Sequence, residues 1–156
     1  MGVFDMLSIS ASALSAERQR AEITSTNLAN AETTHTDQGG PFQRKEVIFS
    51  ATNSSPFRTV MNRLGGRFGH AAGGSVQVTQ VVNDTTPPVM RYEPGSPDAD
   101  KSGFVAYPAI NPVSEMVDLM GAVRAYQMNA SAVSAAKQMI QESIDILKSS
   151  LQGAER

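Results

Sequence analysis

The sequence contains no cysteine and no tryptophan among its 156 residues, and aromatic residues make up only 6% of it. The lack of cysteine excludes a disulfide framework and thiolate metal sites. A formal net charge of −2 argues against nucleic acid or anionic lipid as a partner, because binding phosphate needs clustered Lys and Arg. No apolar run approaches the roughly 18 residues of a membrane span, and no secretory signal is present. Sequence logic alone therefore predicts a soluble, cytoplasmic chain of one or two small domains.

Motifs for catalysis or cofactor binding are equally scarce. His35 and His70 are the only histidines, with no second histidine at metal-ligand spacing and no G-x-S-x-G elbow. The glycine-rich loop at 65–74 lacks both common phosphate-binding patterns. Acidic residues on the predicted helices are expected to lie on solvated faces; these are Glu17, Glu22, Glu115 and Glu142. We expect no catalytic, cofactor-binding or metal-binding residues and no small-molecule substrate.

One segment resembles half of a calcium-binding loop. Asp98-Ala-Asp100-Lys-Ser102-Gly103 follows the D-x-D-x-[DN]-G pattern in part, but the twelfth position, which should supply a bidentate Glu, is Ala109. The segment instead predicts a turn, in which Asp side chains accept backbone N–H groups and Gly103 takes a positive φ.

A sustained seven-residue repeat of apolar residues is the strongest pattern present. It predicts one long helix from Pro112 to Leu151, with Pro112 in the first turn and Gly153 marking the end. The repeat positions are Met116, Leu119, Val123, Tyr126, Ala130, Val133, Lys137, Ile140, Ile144, Leu147 and Leu151. Such a helix would be about 60 Å long, whereas a compact chain of this size has a radius of gyration of about 15 Å. The helix is expected to project and to need a partner, unless one ordinary domain covers it.

A second, weaker helix is predicted from Val3 to about Asn30. Its apolar positions share the same spacing, and they are Phe4, Leu7, Ala11, Leu14, Ala21 and Leu28. Small Ser and Ala residues fill the rest of the face, so little area can be buried to offset the entropy of ordering the chain. We expect both ends to become helical only on assembly, with the middle of the chain already folded.

The middle of the chain has a different texture, with nine of the twelve glycines and seven of the eight prolines falling within residues 36–111. Runs of β-branched and alternating residues predict four short strands in one small sheet, at 45–49, 76–82, 89–92 and 104–107. The fold class is therefore α+β: long N- and C-terminal helices that pack as a coiled-coil-like pair, or with neighbouring subunits, around a small β-rich middle. The predicted divisions are 1–34, 35–111 and 112–156, with the two outer segments forming one helical axial domain.

Several motifs resemble a known family. Asn27-Leu-Ala-Asn30-Ala-Glu-Thr33-Thr34 is similar to the N-x-A-N-A-x-T signature of rod, hook and related axial proteins of the bacterial flagellum. Further segments are similar to proximal-rod subunits of that family; they are Gly40–Lys45, Tyr92–Asp100, Gly103–Pro108, Glu115–Met120 and Arg124–Gln127. Phe42, Ser96 and Phe104 depart modestly from the family pattern, and residues of about 50–75 find no counterpart.

The resemblance implies a non-enzymatic structural protein, exported without cleavage through the flagellar type III apparatus into the rod that spans the periplasm. The implied partners are copies of itself, other rod subunits and the adaptor at the rod base. Candidate interface residues are Phe4, Leu7, Leu14, Asn27, Leu28, Asn30, Met116, Leu119, Val123, Tyr126, Val133, Lys137, Ile140, Ile144, Leu147 and Leu151. Asn27 and Asn30 are expected to end the first helix, where Asn tolerates left-handed geometry and can bond backbone groups. Lys137 is expected to restrict register, as polar seam residues can.

Two other classes of protein remain open from the sequence. A soluble coiled-coil adaptor or export chaperone would share the seven-residue repeat but would need no β-rich middle and no N-x-A-N-A-x-T turn. An enzyme ranks third, because the sequence offers no recognisable catalytic motif.

Overall fold

The computed structural model of the chain describes residues 3–52 and 74–154, with no account of the side chains of Val3, Thr52 and residues 151–154. Along the described chain, one helix precedes four strands and a second helix follows them: α1 (Val3–Ala29), β1 (Lys45–Thr52), β2 (Ser75–Asn83), β3 (Val89–Tyr92), β4 (Phe104–Tyr107) and α2 (Pro112–Ala154). The α+β class is confirmed. Helix α2 continues through Gly153, so this glycine does not mark its end, a difference within the usual fraying of a helix terminus. Residues 65–73 of the glycine-rich loop, with His70, lie outside the described residues.

The start of α2 is set by a side-chain cap. The side-chain Oδ1 of Asn111 accepts a hydrogen bond from the Val113 N–H at 3.0 Å, and its carbonyl accepts one from the Glu115 N–H at 3.1 Å. Asn is a favoured residue before the first turn, and Pro112 occupies the first helical position, where a missing N–H costs nothing. Together they fix the residue at which α2 begins.

The four strands form two separate pairs, so the prediction of a single four-stranded sheet is wrong. Strand β1 pairs with β2, and β3 pairs with β4. The Asp84 N–H donates to the Arg44 carbonyl at 2.7 Å, which places the end of β2 beside the start of β1, as in antiparallel strands. Pro87 and Pro88 lie between β2 and β3, and because proline has no N–H to donate, a hydrogen-bond ladder cannot run through them.

The β3–β4 pair is an antiparallel hairpin with a long connecting loop. Val89 faces Tyr107 and Tyr92 faces Phe104 in its register, and the Tyr92 and Phe104 rings meet edge to face with centroids 5.3 Å apart. In the loop, Asp100 Oδ1 accepts backbone hydrogen bonds from Ser102 at 2.8 Å and Phe104 at 2.9 Å. Gly103 has a φ of 82°. The predicted turn is therefore confirmed at Asp100 and Gly103.

The chain divides into two compact units. The first contains Met1–Ala16, Ser50–Gln77 and Ala125–Arg156, and the second contains Glu17–Phe49 and Val78–Arg124. In the first unit, the Val76 N–H donates to Ser12 Oγ at 3.1 Å, linking the start of β2 to α1. In the second unit, Val105 of β4 and Ala122 of α2 are fully buried. The predicted division at residues 34 and 111 stays a prediction.

Neither helix is suited to a bilayer. Within residues 3–52 and 74–154, α1 and α2 have no stretch long and apolar enough to cross a membrane.

Replacing Gly103 with alanine tests the hairpin turn. A Cβ at this position would lie 2.9 Å from Tyr92 Cε2 and 3.2 Å from Pro94 Cβ, and a positive φ costs a non-glycine residue about 1–2 kcal/mol. We expect Gly103→Ala to lower the free energy of unfolding by about 1–3 kcal/mol, measured by urea denaturation. Gly95→Ala is the matched control, because a Cβ there would meet no atom within 4 Å beyond its chain neighbours. Equal stability of the two variants would contradict this account of the turn.

Candidate functional site

A buried polar junction connects α1, β1 and α2 within the second unit. Asn27 lies on α1, and only 1% of its surface is exposed. Its side-chain amide pairs with both backbone groups of Lys45: Nδ2 donates to the carbonyl at 2.8 Å, and Oδ1 accepts the N–H at 2.9 Å. The Asn27 side chain thus bonds Lys45 as the backbone of a neighbouring strand would. The first residue of β1 is therefore attached to α1. Only a side chain with both a donor and an acceptor, as in Asn, can satisfy both groups.

Glu115 of α2 completes the junction. Its Oε2 accepts a hydrogen bond from Asn27 Nδ2 at 3.1 Å, and its Oε1 accepts one from Arg44 Nε at 2.6 Å. Only 2% of Glu115 is exposed, so the predicted solvated role of this residue is wrong. A buried carboxylate is tolerated when charged and polar donors surround it, and here both oxygens have a partner.

Further charges surround this pair at the edge of the junction. Arg44 also forms an ion pair with Glu46, while Asp118 lies 3.5 Å from Arg20 of α1 and 4.0 Å from Arg44. Burial tends to lower the pKa of Arg44, but hydrogen bonds and charge attraction from Glu115 and Glu46 outweigh it and raise that pKa above its usual value. Arg44 therefore stays charged and holds Glu115 from the β side.

The rest of the N-x-A-N-A-x-T segment forms the C-terminal end of α1 and the turn that follows it. Asn30 Nδ2 donates to the Thr26 carbonyl at 2.9 Å, and Thr33 Oγ1 donates to Asn30 Oδ1 at 3.2 Å. Thr34 Oγ1 donates to Asp98 Oδ2 at 2.7 Å, so the segment also contacts the hairpin loop. Among the described residues only glycines have positive φ, so the predicted left-handed geometry at Asn27 and Asn30 is wrong. The expected bonding of these two asparagines to backbone groups is confirmed, at Lys45 for Asn27 and at Thr26 for Asn30.

The segments that resemble flagellar axial proteins thus meet in space. Asn27 belongs to the N-x-A-N-A-x-T segment, Arg44 and Lys45 end the second segment, and Glu115 begins the segment at 115–120. The hydrogen bond between Thr34 and Asp98 adds the segment at 92–100. Their similarity to one family therefore corresponds to a single set of contacts that links four stretches of the chain.

The sequence alone does not predict that Arg44 and Glu115 bind each other in the junction. Glu115 is not a repeat position, although it lies only about 40° around the helix from the repeat position Leu119, and its charge alone suggested a solvated role. No local pattern connects it with Arg44, which lies 71 residues earlier. The one available signal was the occurrence of both residues in family-like segments.

A small cleft beside the junction shows no arrangement for chemistry. It has a volume of about 170 Å³ and is lined mainly by backbone turns and apolar side chains, including Pro41, Phe42 and Pro88. Of its charged lining residues, Arg44 binds Glu115, and Asp84 accepts hydrogen bonds from the hydroxyl and N–H of Thr86, which lower its pKa. Within residues 3–52 and 74–154, no group of three or more His, Asp or Glu residues could hold a metal ion.

In the second unit, one face of α2 is buried, and a different face carries exposed apolar residues. Glu115 and Ala122 are buried on one face. Five apolar residues, 43–68% exposed, form what we call the outer stripe: Val113, Met116, Val117, Met120 and Val123. At about 100° per residue, the stripe spans an arc of about 120°, and its centre lies about 150° from the buried face. The side of α2 that carries larger apolar residues is therefore the side left open within this unit.

The candidate interface residues differ widely in exposure. Phe4, Met116, Val123, Tyr126, Lys137, Ile144 and Leu147 are exposed. Leu7, Leu14, Leu28, Asn30, Leu119, Val133 and Ile140 are half-buried. Asn27 is buried and presents no surface to a neighbouring molecule, and the side chain of Leu151 lies outside the described residues. The buried α2 residues Glu115, Ala122 and Ala136 each precede a repeat position by one residue, so small side chains occupy most of the inner face.

Changing Asn27 to Asp tests the junction. An aspartate keeps the acceptor for the Lys45 N–H, but it loses both donated hydrogen bonds and places a second carboxylate about 3.1 Å from Glu115 Oε2. We expect a loss of about 3 kcal/mol or more in the free energy of unfolding, measured by urea denaturation, because unpaired buried polar and charged groups are costly.

Asn30→Asp is the matched control for this variant. Asn30 is half-buried and bonds only to nearby residues of its own segment, so its loss should cost about 1 kcal/mol. A stability of Asn27→Asp equal to that of the control would show that the junction contributes little.

Family models of flagellar rod proteins match two regions of the chain, one near each end. Residues 7–34 match the family model described as flagella basal body rod protein, and residues 101–146 match the model described as flagellar basal body rod FlgEFG protein C-terminal. Both regions contain residues of the junction, namely Asn27 and Glu115.

Individual relatives cover the chain almost completely. The flagellar basal-body rod protein FlgC of Bacillus subtilis is 36% identical over 95% of this chain and 100% of the relative. FlgC of Borreliella burgdorferi is 32% identical over 95% of this chain and 99% of the relative, and FlgC of Salmonella typhimurium is 33% identical over 94% and 98%. At this identity and coverage, the chain belongs to the FlgC family of flagellar basal-body rod proteins.

Proposed function

We propose that the chain, a structural subunit of the flagellar basal-body rod, polymerises through the outward faces of its two helices into the helical shaft that transmits torque. The outer stripe of α2 is the observation that carries this proposal. Its five apolar side chains lie on the face opposite the buried junction and are at least 43% exposed. Exposed apolar patches of this kind mark association surfaces.

The energetics of the stripe favour association. Fully burying an apolar side chain is worth about 1.5–3 kcal/mol, so covering the exposed half of each stripe residue would contribute about 1 kcal/mol per residue. The inner face already uses its own partners, since Glu115 and Ala122 are buried within the chain. A neighbour can therefore cover the stripe without disturbing the junction.

Repetition of one such contact would build a rod. A head-to-tail contact whose rotation does not close into a ring generates a helical filament. The stripe on α2 belongs to the second unit and the exposed Phe4 at the start of α1 belongs to the first, so the chain offers two sets of exposed apolar residues from which a head-to-tail contact could form. Lys137, exposed on α2, would restrict the register of the contact, because polar residues in a helical seam disfavour alternative alignments.

The wider setting follows from membership of the family. We propose that the subunit is exported without cleavage through the flagellar type III apparatus and joins the rod where it spans the periplasm. Its neighbours there would be copies of itself, other rod subunits and the adaptor at the rod base. We propose no enzymatic activity, because the relatives are structural proteins of the flagellar rod.

A charged substitution in the stripe tests the proposal. Val123→Asp should leave the fold intact, because Val123 is 43% exposed and lies at the edge of the outer stripe, about 80–100° around the helix from Glu115 and Ala122. A buried carboxylate at a subunit contact would, however, block assembly. We expect unchanged helical circular dichroism, loss of polymers in negative-stain micrographs of concentrated protein, and loss of swimming in cells lacking the wild-type chain.

Val81→Asp supplies the matched control. Val81 lies on β2 with an exposure of 45%, so the same substitution meets the same solvent access outside the stripe. This control should keep both assembly and swimming. Normal assembly of Val123→Asp would refute the proposed contact, whereas discrete complexes of wild-type chain with other proteins, without polymers, would favour an adaptor or chaperone.

A further inference from the structure

The methionines whose side chains the structure describes are unusually accessible. Methionine is normally among the residues found inside proteins. Each of the six methionines whose side chains the structure describes is 40–70% exposed; these are Met6, Met90, Met116, Met120, Met128 and Met139. Because the chain has no cysteine, its thioethers are its main targets for two-electron oxidation.

Two of these methionines occupy the outer stripe. Met116 and Met120 are 51% and 54% exposed and are one helical turn apart, with Val113, Val117 and Val123 around them. The buried residues Glu115 and Ala122 lie on the other face of the helix, and about half of each of the two methionine residues is open to solvent. An oxidant would reach them while the chain remains folded.

We propose that Met116 and Met120 are a redox modification site, at which oxidation by peroxide switches off association of the outer stripe. This inference rests on the proposed assembly contact. Each thioether sulfur attacks one peroxide oxygen, so that an S–O bond forms while the O–O bond breaks. The sulfur loses two electrons, and the departing hydroxide takes the proton from the oxygen now bonded to sulfur, which leaves the sulfoxide and water.

The sulfoxide changes the stripe without changing the fold. It replaces an apolar, flexible side chain with a polar one that accepts hydrogen bonds. Burying two such groups at a subunit contact without partners is unfavourable, whereas leaving them in water on the free subunit costs little. The modification is reversible, because methionine sulfoxide reductases restore the thioether. Subunits oxidised before assembly would be excluded until they are repaired.

The test uses full-length chain treated with dilute hydrogen peroxide, followed by peptide mass mapping and negative-stain microscopy. Met116 and Met120 should oxidise at a rate within about threefold of a free methionine peptide, and the oxidised chain should form at most about one tenth of the polymer. Treatment with both classes of methionine sulfoxide reductase should restore polymer formation. Oxidised chain that polymerises as well as untreated chain would overturn the proposal.

A double variant, Met116→Leu with Met120→Leu, separates the stripe from the other methionines. Leucine keeps the apolar volume and cannot form a sulfoxide, so peroxide-treated variant should still polymerise. Met90, 51% exposed on β3, remains as the internal control and should oxidise fully in that variant. Loss of assembly in the oxidised variant would place the effect elsewhere and refute the site.

The experiment also separates this inference from the proposed assembly contact. If untreated chain does not polymerise, the proposed contact and the switch both fail, while the mass map still decides whether Met116 and Met120 are oxidation sites. Oxidation at these positions at less than about one tenth of the peptide rate would refute the modification site independently of assembly.

Discussion

The second unit depends on the buried hydrogen bonds among Asn27, Arg44, the backbone of Lys45 and Glu115. Apolar burial alone would not fix the positions of α1, β1 and α2, because the fully buried apolar residues of the two helices are alanines. A buried carboxylate with both oxygens satisfied is costly to disrupt, so it selects one arrangement over others. The polar junction supplies the specificity that a larger apolar core provides in other domains.

The same contacts determine which side of α2 faces outward. With Glu115 held by Asn27 and Arg44, rotation of α2 about its own axis would break both hydrogen bonds. The larger apolar residues of this helix segment therefore stay on the opposite side, available to a neighbour. Intramolecular contacts of this helix segment use small and polar residues, and the proposed association would use the larger apolar ones. Folding and assembly would therefore depend on different side chains.

Much of the fold follows from the sequence, and the site follows less well. The helix bounds near Val3 and Pro112 and the strands β3 and β4 were predicted from periodicity and β-branched runs, which depend on nearby residues. Strand pairing was not, because Pro87 and Pro88 divide the strands in a way that alternation alone does not reveal. Glu115 was assigned to solvent because its partners come from distant parts of the chain, and a helical repeat is silent about such pairs. The motif at the end of α1 predicts that its asparagines bond backbone groups, but it does not reveal that the backbone partner of Asn27 is Lys45 in β1.

The buried hydrogen bonds of the junction revise the expectation that both ends become helical only on assembly, because they would order residues 17–29 of α1 and 112–124 of α2 in the free chain. Hydrogen exchange on dilute, full-length chain tests this directly. Our prediction is slow amide exchange at residues 17–29, 45–49 and 112–124, and about hundredfold faster exchange in all three segments when Glu115 is replaced by Ala. Faster exchange confined to the helical turn that contains the substitution, with the other two segments unchanged, would contradict it.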